Sequence, residues 1–449
     1  MDITYPARLR YGRTYFHRLS SLWSHVTGFF TTRHINSWVI FFLLIYVVLL
    51  IKLVTIREME NNLFFGVYSV VVSLYILSRF FFAYFYDPEP PLQRPGYKPT
   101  ITFAVPSKNE EENICETIMR IASSDYPKQK FDIIAVNDGS TDRTLQEMLK
   151  AKKLAAKKGV DVKVIDWKVN KGKREGMAEC VKRSKNEIIV FIDSDSFVEP
   201  DTASQLVKYF IDPKVGAVAG HGYVANADTN FLTKMQSVRY YVAFKAYKSA
   251  EALFETVTCC SGCCSAYRKS AVMLVLEPWL EQEFLGIRCT YGDDRSLTNF
   301  LLKSGYTTLY APEAKAYTFV PDTFKKFMRQ QLRWKKSWVR ESLKASCFIW
   351  KKNPLMSISF YIGVILPLLA PIIVVRALIW YPYTTGNIPY FYLFGLLLMA
   401  LIYGLYYYIY MRDRRWVYGV VFATIYTIIL IWQLPYAILN IRDARWGTR

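Results

Sequence analysis

The 449-residue sequence lacks the glycine-rich loops that hold phosphate groups in two large classes of nucleotide-binding protein. It contains neither G-x-x-x-x-G-K-[ST] nor G-x-G-x-x-G, the sequence patterns of P-loop proteins and of dinucleotide-binding proteins. Both phosphate-binding modes are therefore excluded. A nucleotide bound by this chain must be held by other groups.

Paired cysteine and histidine motifs are also missing. Four of the eight cysteines lie in CCSGCC, residues 259–264, and the four histidines are scattered along the chain. The spacing of Cys260 and Cys263 resembles half of a zinc site, but no second Cys or His pair completes it. We therefore expect reduced thiols that pack as small apolar side chains, and no metal–thiolate site.

Long apolar runs are absent from the middle of the chain and present on both sides of it. Two runs come first, at residues 37–51 and 62–86, and three follow, at 355–380, 390–411 and 417–439. Such runs predict membrane-spanning helices. The intervening residues have a soluble composition and are numerous enough to form a core. A hydrophilic domain is thus predicted between membrane segments.

Acidic residues are outnumbered by basic ones, 37 to 57, which gives a net charge of +20. Arginines are concentrated in residues 1–36, directly before the first apolar run. This pattern predicts a cytoplasmic N-terminal segment at the membrane surface and, after two spans in residues 37–86, a cytoplasmic central domain. The first apolar run is too long and too late for a cleavable signal peptide. Because the basic residues flank the membrane segments, we expect membrane lipids and no nucleic acid as partners.

The number of spans after the central domain is left open by the sequence. Five full spans would place the C-terminal arginines outside, against the charge rule. Either Pro367 and Pro371 or Pro435 would then interrupt a span and make it re-entrant. We assign residues 353–442 to transmembrane or re-entrant helices and residues 443–449 to a tail ending in WGTR.

Residues 97–320 alternate between short apolar runs and polar segments of helical character. The apolar runs are ITFAVP, FDIIAVND, DVKVIDW and EIIVFIDSD, and helices are predicted over 111–124, 141–158 and 173–184. This alternation predicts a Rossmann-like α/β domain with a mostly parallel sheet. Ligands bind such sheets at the carboxyl ends of the strands, where PSKNEEE, NDGSTD and DSD gather polar side chains.

The DSD and NKGKR segments contain candidate groups for a diphosphate. Asp193 and Asp195 lie on the same side of an extended chain, so both can reach one Mg²⁺ or Mn²⁺ ion, with Asp195 the more exposed. Such a triple also arises by chance about once in a chain of this length. Lys171, Lys173 and Arg174 precede a helix and suit a phosphate, although basic turns are more often solvated surface.

The segment YGDDR places two adjacent acids at a predicted helix start. Apolar residues with helical spacing follow Gly292, so Asp293 and Asp294 are expected on the first helical turn. The helix dipole stabilises carboxylates there, which explains one acid. Two acids beside Arg295 favour a general base that accepts a proton from a substrate hydroxyl. Capping remains an alternative for Asp293.

Residues 321–352 are predicted to form amphipathic helix in the membrane interface, because 324–343 combine an apolar stripe with many basic residues. That interpretation leaves Gln330, Arg333 and Trp334 unexplained. An indole beside an arginine can stack on a sugar and bind a phosphate. We therefore include these three residues in the candidate site.

The ordered set NDGSTD, DSD, GDDR and QQLRW, framed by membrane helices, resembles the processive family 2 glycosyltransferases, which include cellulose, chitin and hyaluronan synthases. Within that family the chain is most similar to hyaluronan synthases, through FLGIRCTYGDDRSLTN, QQLRWKKSWVRES and WGTR. Chitin-oligosaccharide synthases share GDDR and QQLRW. The resemblance covers residues 100–449 and implies a GT-A catalytic domain of an inverting enzyme, cytoplasmic and inserted between transmembrane helices of the plasma membrane.

The resemblance implies a role for each motif residue. Asp294 would be the general base, Asp195 would hold Mg²⁺ or Mn²⁺ on UDP, and Asp138 would contact the uridine. Gln330 and Trp334 would bind the acceptor sugar and Arg333 the diphosphate. The full set implied to bind substrates or product is Asp138, Lys171, Lys173, Asp193, Asp293, Gln330, Arg333, Trp334, Cys263, Trp446 and Arg449.

The sequence departs from the family pattern at two places, and the second bears on the product. Asn137 stands where the family usually has an aspartate. Residues 261–268, SGCCSAYR, replace a Ser-Gly-Pro-Leu type stretch that lines the acceptor pocket of hyaluronan synthases. We expect UDP-GlcNAc and UDP-GlcA as donors and a growing polysaccharide that passes through the membrane helices. The alternatives are a chitin-type synthase that uses UDP-GlcNAc alone, and a non-catalytic scaffold, which the presence of Asp195, Asp294 and Arg333 argues against.

Overall fold

The computed structural model describes residues 35–58, 63–90 and 94–443. Helices Ile35–Glu58 and Leu63–Tyr84 come before the central domain. After it come Pro354–Val375, Tyr390–Met411, Trp416–Ile428 and Gln433–Leu439. Residues 1–34 of the basic segment predicted at 1–36 lie outside the described residues, as do the tail residues Trp446 and Arg449.

The central domain is built on an eight-stranded sheet. Its strands are β1 Ile101–Ser107, β2 Phe131–Asp138, β3 Val162–Trp167, β4 Ile188–Phe191, β5 Ser196–Val198, β6 Val215–Val224, β7 Ser265–Arg268 and β10 Thr307–Thr318. Their order is β3-β2-β1-β4-β7-β6-β10-β5, and a separate two-stranded sheet pairs β8 Glu283–Phe284 with β9 Ile287–Arg288. The α/β architecture predicted from the sequence is confirmed.

The first half of the sheet agrees closely with the prediction. Strands β3, β2, β1 and β4 are parallel neighbours, and every residue of β1 is buried. Helices Ile114–Ala122, Thr144–Ala156 and Lys173–Arg183 connect them and fall within the predicted ranges. Runs of Ile and Val buried on both faces account for this agreement, because they give an unambiguous strand signal.

The second half of the sheet differs from the prediction. Strand β7 is antiparallel to both β4 and β6, and β5 is antiparallel to β10. The sheet is therefore mixed beyond β4, where only β6 and β10 are parallel neighbours, and the predicted parallel order does not extend to β5 and β7. Strands β5 and β7 have only three and four residues, too few to show the alternation that identifies a strand.

The remaining helices of the central domain lie between these strands and after them. They are Thr202–Val207, Phe231–Val242, Ser249–Ala252, Lys269–Leu280, Asp293–Lys303 and Phe324–Ser346, with a π-helix at Ala243–Lys248. The helix predicted to begin at Asp293 is confirmed, and Gly292 occupies its N-cap in a left-handed conformation. Residues 324–343 are helical, as predicted.

In the part of the chain that the structure describes, three helices are long and apolar enough to cross a membrane: Gly66–Tyr84, Pro354–Thr385 and Tyr390–Met411. The first predicted run, 37–51, overlaps a shorter apolar helix, Phe42–Val54. Pro367 and Pro371 lie inside one continuous helix, so they do not break the third run. The last run forms two helices, Trp416–Thr427 and Leu430–Leu439, that meet at 43°. This bend precedes Pro435.

The membrane helices pack directly on the central domain. Val238 and Tyr241 of helix Phe231–Val242 are buried in one cluster with Tyr406 and Tyr407 of helix Tyr390–Met411. The rings of Tyr241 and Tyr407 meet edge to face at 5.3 Å. This shared core fixes the domain against the helices, so a cavity can pass from one to the other.

Candidate active site

One cavity of about 1560 Å³ brings the predicted site residues together. All those that the structure describes line it: Asp138, Lys171, Lys173, Asp193, Asp195, Cys263, Asp293, Asp294, Gln330, Arg333 and Trp334. The cavity continues between the membrane helices, where Lys52, Tyr392 and Met399 line it. The four motifs, up to about 200 residues apart in sequence, therefore face one space.

Asp138, the last residue of β2, organises the basic turn that follows β3. Its carboxylate accepts hydrogen bonds from the backbone N–H groups of Lys171, at 2.6 Å, and Gly172, at 2.9 Å. The Lys171 ammonium lies 4.5 Å from the centre of the Trp167 ring. Asn137, in place of the usual aspartate, donates to Asp166 at 2.7 Å. Asp138 thus positions the turn where a nucleotide is expected.

The DSD segment, residues 193–195, follows β4 and lies beside a lysine and a glycine. Asp193 forms an ion pair with Lys173, and its backbone N–H donates to the carbonyl of Gly262 at 3.1 Å. Burial by itself lowers the pKa of Lys173, but the carboxylates of Asp193, Asp294 and Asp293 outweigh it and raise that pKa. Lys173 is therefore a permanent cation among three acids.

Asp193 and Asp195 suit a divalent cation held jointly with a diphosphate. Both carboxylates line the cavity, and among the described residues no group of three or more His, Cys, Asp or Glu side chains could hold a metal. The described residues therefore supply at most two carboxylates here. Mg²⁺ and Mn²⁺ sites with phosphate substrates commonly have one or two carboxylates and take their other oxygens from phosphate and water. The donor set fits such an ion.

Asp293 is buried in an ion pair. Its carboxylate accepts from the Arg174 guanidinium at 2.7 Å, and these two side chains are only 4% and 5% exposed. Arg174 also donates to the carbonyl of Trp279 and to Gln282, which in turn contacts Glu341. Arg174 is thus engaged by the protein, and its bonds fix the start of helix Asp293–Lys303 on helix Lys173–Arg183.

Asp294 has a different environment from its neighbour. It is half-buried, and one carboxylate oxygen faces the backbone N–H of Gly262 at 3.3 Å and the Cys259 thiol at 3.7 Å. The other oxygen accepts from the Arg295 backbone N–H at 2.9 Å. A carboxylate at a helix N-terminus that opens on the cavity is equipped to accept a proton from a bound hydroxyl.

Gly262 is a site residue that sequence reasoning missed. Its N–H donates to Asp294 and its carbonyl accepts from Asp193, so it joins the two acidic motifs. A Cβ at this position would lie 3.0 Å from the Asp193 carboxylate and 3.1 Å from the Lys173 ammonium. A single glycine in a cysteine-rich loop gives no local signal of this contact.

The cysteines around Gly262 are thiols rather than thiolates. Burial, with the Asp294 carboxylate next, raises the pKa of Cys259 to about 11. Burial and the nearby Asp193 carboxylate raise the pKa of Cys263 to about 12. Neither side chain is activated as a nucleophile, since nucleophilic cysteines have a lowered pKa. These thiols shape the cavity wall.

Helix Phe324–Ser346 carries the QxxRW residues and is seated on the start of helix Asp293–Lys303. A Cβ on Gly292, which has φ +78°, would come within 1.9 Å of the Ser337 hydroxyl. Arg340 donates to the Tyr291 carbonyl, and Asn299 donates to Glu341 at 3.2 Å. The general-base candidate and the QxxRW motif therefore form one rigid unit.

Two cations beside Trp334 were not predicted. The Arg239 guanidinium lies 5.2 Å from the centre of the Trp334 ring, and Tyr240 packs against the same ring at 6.2 Å. Lys335 donates to the carbonyl of Leu430, at the bend of the last helix pair. Burial, reinforced by Arg239, lowers the pKa of Lys335 to about 7. Only the tertiary contacts distinguish these residues from other surface cations.

The C-terminal end of the described chain returns to the site. Asp443 pairs with the buried Lys336 at 3.1 Å, and its carbonyl accepts from the Tyr291 hydroxyl at 3.1 Å. Tyr291 directly precedes Gly292. The last described residue is therefore held next to the acidic helix start.

Comparison with known proteins identifies relatives along the whole catalytic region. Residues 102–275 match the family model described as glycosyl transferase family 2, and residues 287–449 match the one described as chitin synthase. An N-acetylglucosaminyltransferase of Azorhizobium caulinodans is 32% identical over 354 residues, 78% of this chain and 87% of the relative. A hyaluronan synthase of Streptococcus pyogenes is 28% identical over 389 residues, 86% and 90% of the two chains.

Among solved structures, a mannosyltransferase of Pyrobaculum calidifontis in complex with GDP-Man and Mn²⁺ has a similar fold. The TM-score is 0.56 at 19% identity, with 81% of this chain and 99% of that chain covered. This likeness concerns the fold. Together with the family 2 match and the sheet order, it confirms the predicted GT-A fold.

Proposed function

Because this chain belongs to the family 2 glycosyltransferases, we propose that it is a processive, inverting synthase of hyaluronan that uses UDP-GlcNAc and UDP-GlcA. The observation that carries the proposal is the single cavity that joins Asp294 and Trp334 to the membrane helices. A growing polymer could pass along it without leaving the protein. We place the catalytic domain on the cytoplasmic side of the plasma membrane, where nucleotide sugars are made.

The donor end of the site is proposed to lie over the ends of β2 and β4. Asp138 and the turn that it holds at Lys171 would receive the uridine and its diphosphate. Mg²⁺ or Mn²⁺, when bound at Asp195 and Asp193, would neutralise the diphosphate and make UDP a better leaving group. Arg333 lines the same cavity and would bind the diphosphate from the opposite side.

Transfer is proposed to occur in one displacement at the anomeric carbon. Asp294 takes the proton of an acceptor hydroxyl as that oxygen forms the new glycosidic bond. The bond from the anomeric carbon to the diphosphate oxygen breaks, and its electron pair leaves with UDP. Attack opposite to the leaving group inverts the α-linked donor, so the product is a β-glycoside.

The acceptor is proposed to rest on the QxxRW helix. Trp334 offers a ring for sugar stacking, backed by Tyr240 and Arg239, and Gln330 offers an amide for hydroxyl groups. Cys263 would border the same pocket. The tail residues Trp446 and Arg449 are proposed to act nearby, since the chain at Asp443 is anchored to Lys336.

A chitin-type synthase that uses UDP-GlcNAc alone is the second candidate. Two observations favour it: the match of residues 287–449 to the chitin synthase model, and the 32% identity to an N-acetylglucosaminyltransferase against 28% to a hyaluronan synthase. The CCSGCC loop beside Asp294 also departs from the usual hyaluronan synthase sequence. Both candidates share the fold and the proposed base.

UDP release by the purified full-length protein tests the proposal. With Mg²⁺ or Mn²⁺ present, we expect sustained release only when both UDP-GlcNAc and UDP-GlcA are supplied. Asp294→Asn should reduce release by a factor of about 10³ or more. Asp228→Asn, at an acid that is 81% exposed, is the matched control and should retain activity. Sustained release from UDP-GlcNAc alone would instead establish the chitin-type activity.

A further inference from the structure

A buried lysine, Lys52, lines the part of the cavity that lies between the membrane helices. Lys52, in helix Ile35–Glu58, is 5% exposed and lines the cavity between the membrane helices. Its ammonium donates to the Ser69 hydroxyl at 2.8 Å and lies 5.8 Å from the centre of the Tyr392 ring. A buried ammonium among apolar helices is costly unless an opposite charge compensates it.

The protein itself supplies no such charge in the part of the chain that the structure describes. No carboxylate there forms an ion pair with Lys52. None of the described membrane-helix residues that line the cavity is Asp or Glu. Gly395 further leaves room for the ammonium, because a Cβ there would come within 2.9 Å of it.

The cavity also carries cations where it leaves the catalytic domain. Arg239 and Lys335 line it near Trp334, and the contacts of Arg239 are with the faces of Trp334 and Phe422. Aromatic rings and these positive charges therefore line the cavity between the QxxRW helix and Lys52, among apolar side chains and one carboxylate, Glu251, that accepts hydrogen bonds from Thr258. Rings accept any sugar, whereas the charges favour a sugar that bears a carboxylate.

We propose that Lys52 recognises the acidic sugars of the product, because its ammonium pairs with a uronic acid carboxylate as the glycan passes between the membrane helices. This inference rests on the proposed function, since it assigns an acidic glycan to the same cavity. It makes Lys52 a specificity-determining residue that acts on the product, separate from the catalytic groups. A neutral GlcNAc polymer would gain nothing from the lysine.

Equilibrium binding of purified oligosaccharides tests the proposal without donor or turnover. The full-length protein in detergent is mixed with a hyaluronan oligosaccharide or with a chitin oligosaccharide of the same length. We expect tighter binding of the hyaluronan oligosaccharide, and Lys52→Met should weaken it about tenfold while binding of the chitin oligosaccharide is unchanged. Lys52→Arg should keep the preference.

Arg79→Met is the matched control, because Arg79 is also buried, at 3% exposure, but is not among the residues that line the cavity. It should retain the preference. Equal affinity of the wild type for both oligosaccharides, or an unchanged preference in Lys52→Met, would overturn the proposal. Failure of the proposed function appears separately, as sustained UDP release from UDP-GlcNAc alone.

Discussion

Adjacent residues in this site have different environments and, we propose, different functions. Asp293 is buried against Arg174, whereas Asp294 opens on the cavity beside Gly262 and Cys259. Helical spacing places both acids on the first turn, and only the family resemblance assigns the base to Asp294. Only the direction of each side chain from the first helical turn separates a structural ion pair from a group that can reach substrate.

Removal of the Asp293 carboxylate should destabilise the protein. Asp293→Ala leaves the Arg174 guanidinium buried without its counter-charge, which costs about 3–5 kcal/mol. Thermal unfolding in detergent measures the loss. Glu179→Ala, which removes the partially buried partner of the exposed Arg183, is the matched control and should cost below about 1 kcal/mol. A fully stable Asp293→Ala that fails to bind UDP would instead make Asp293 a substrate ligand.

Among the helices and strands, one contact between two helices sets the geometry of the candidate site. Helix Asp293–Lys303 begins against helix Phe324–Ser346, with Gly292 in contact with Ser337 and with Asn299 bonded to Glu341. The proposed base and the Trp334 ring, which we propose binds the acceptor, are therefore held at a fixed distance from each other. A small displacement at this contact would change the distance between the reacting groups.

Gly292→Ala should reduce UDP release about a hundredfold, because its methyl group would displace one helix from the other. Gly286→Ala isolates this effect. Gly286 has nearly the same backbone angle, φ +76°, but a Cβ there would meet nothing within 4 Å. Gly286→Ala therefore introduces backbone strain without a steric contact. Similar losses in both variants would mean that strain, and not the helix contact, limits activity.

The burial of Lys335, reinforced by the nearby Arg239, should make stability depend on pH. The pKa of Lys335 is about 7 in the folded protein, below the ordinary lysine value of about 10.4. Between these two values the unfolded chain binds more protons, so the free energy of unfolding rises with pH. The apparent Tm should therefore increase from about pH 7 to about pH 9.

Lys335→Met should show a smaller increase over the same range, since it removes this titration. Lys326→Met, at a lysine that is 67% exposed on the same helix, should behave as the wild type. Parallel pH profiles for wild type and Lys335→Met would contradict the assignment. The comparison uses slopes, so a uniform loss of stability from the missing Leu430 contact does not affect it.

In the complete fold, the membrane helices and the end of the described chain both contact the catalytic domain. The membrane helices share a core with the catalytic domain through Tyr241 and Tyr407, and the end of the described chain returns to the site at Asp443. Catalysis and passage of the polymer are thus proposed to use one continuous cavity. The C-terminal anchor, the contacts of Asp443 with Lys336 and Tyr291, holds the end of the described chain next to that site.

Loss of the ion pair between Asp443 and Lys336 should lower the rate of UDP release. Asp443→Ala leaves Lys336, a buried lysine, without the carboxylate that it contacts, at a cost of about 1–3 kcal/mol. We expect sustained UDP release with both donors to fall several-fold. Asp413→Ala, which breaks an ion pair with Arg415 in the loop between two membrane helices, is the control. Equal activity of the two variants would make the anchor irrelevant to turnover.

The accuracy of the sequence-based predictions follows the strength of each local signal. Strands β1 to β4 and helix Asp293–Lys303 were predicted correctly, because buried Ile and Val runs and an acidic helix start are local patterns. Strands β5 and β7 were missed, and so was the contact of Gly262 with two acidic motifs. A strand of three residues has no period, and a glycine carries no side-chain information.

Periodicity along the chain predicts the α/β domain between apolar helices, and the ordered motifs indicate the family and the candidate site residues, because both kinds of signal are local in sequence. Tertiary structure decided which groups meet: Arg174 with Asp293, Gly262 with Asp193 and Asp294, and Lys52 with the cavity. These contacts join residues that are tens to hundreds of positions apart. Their energies arise from burial and distance, which exist only once the chain has folded.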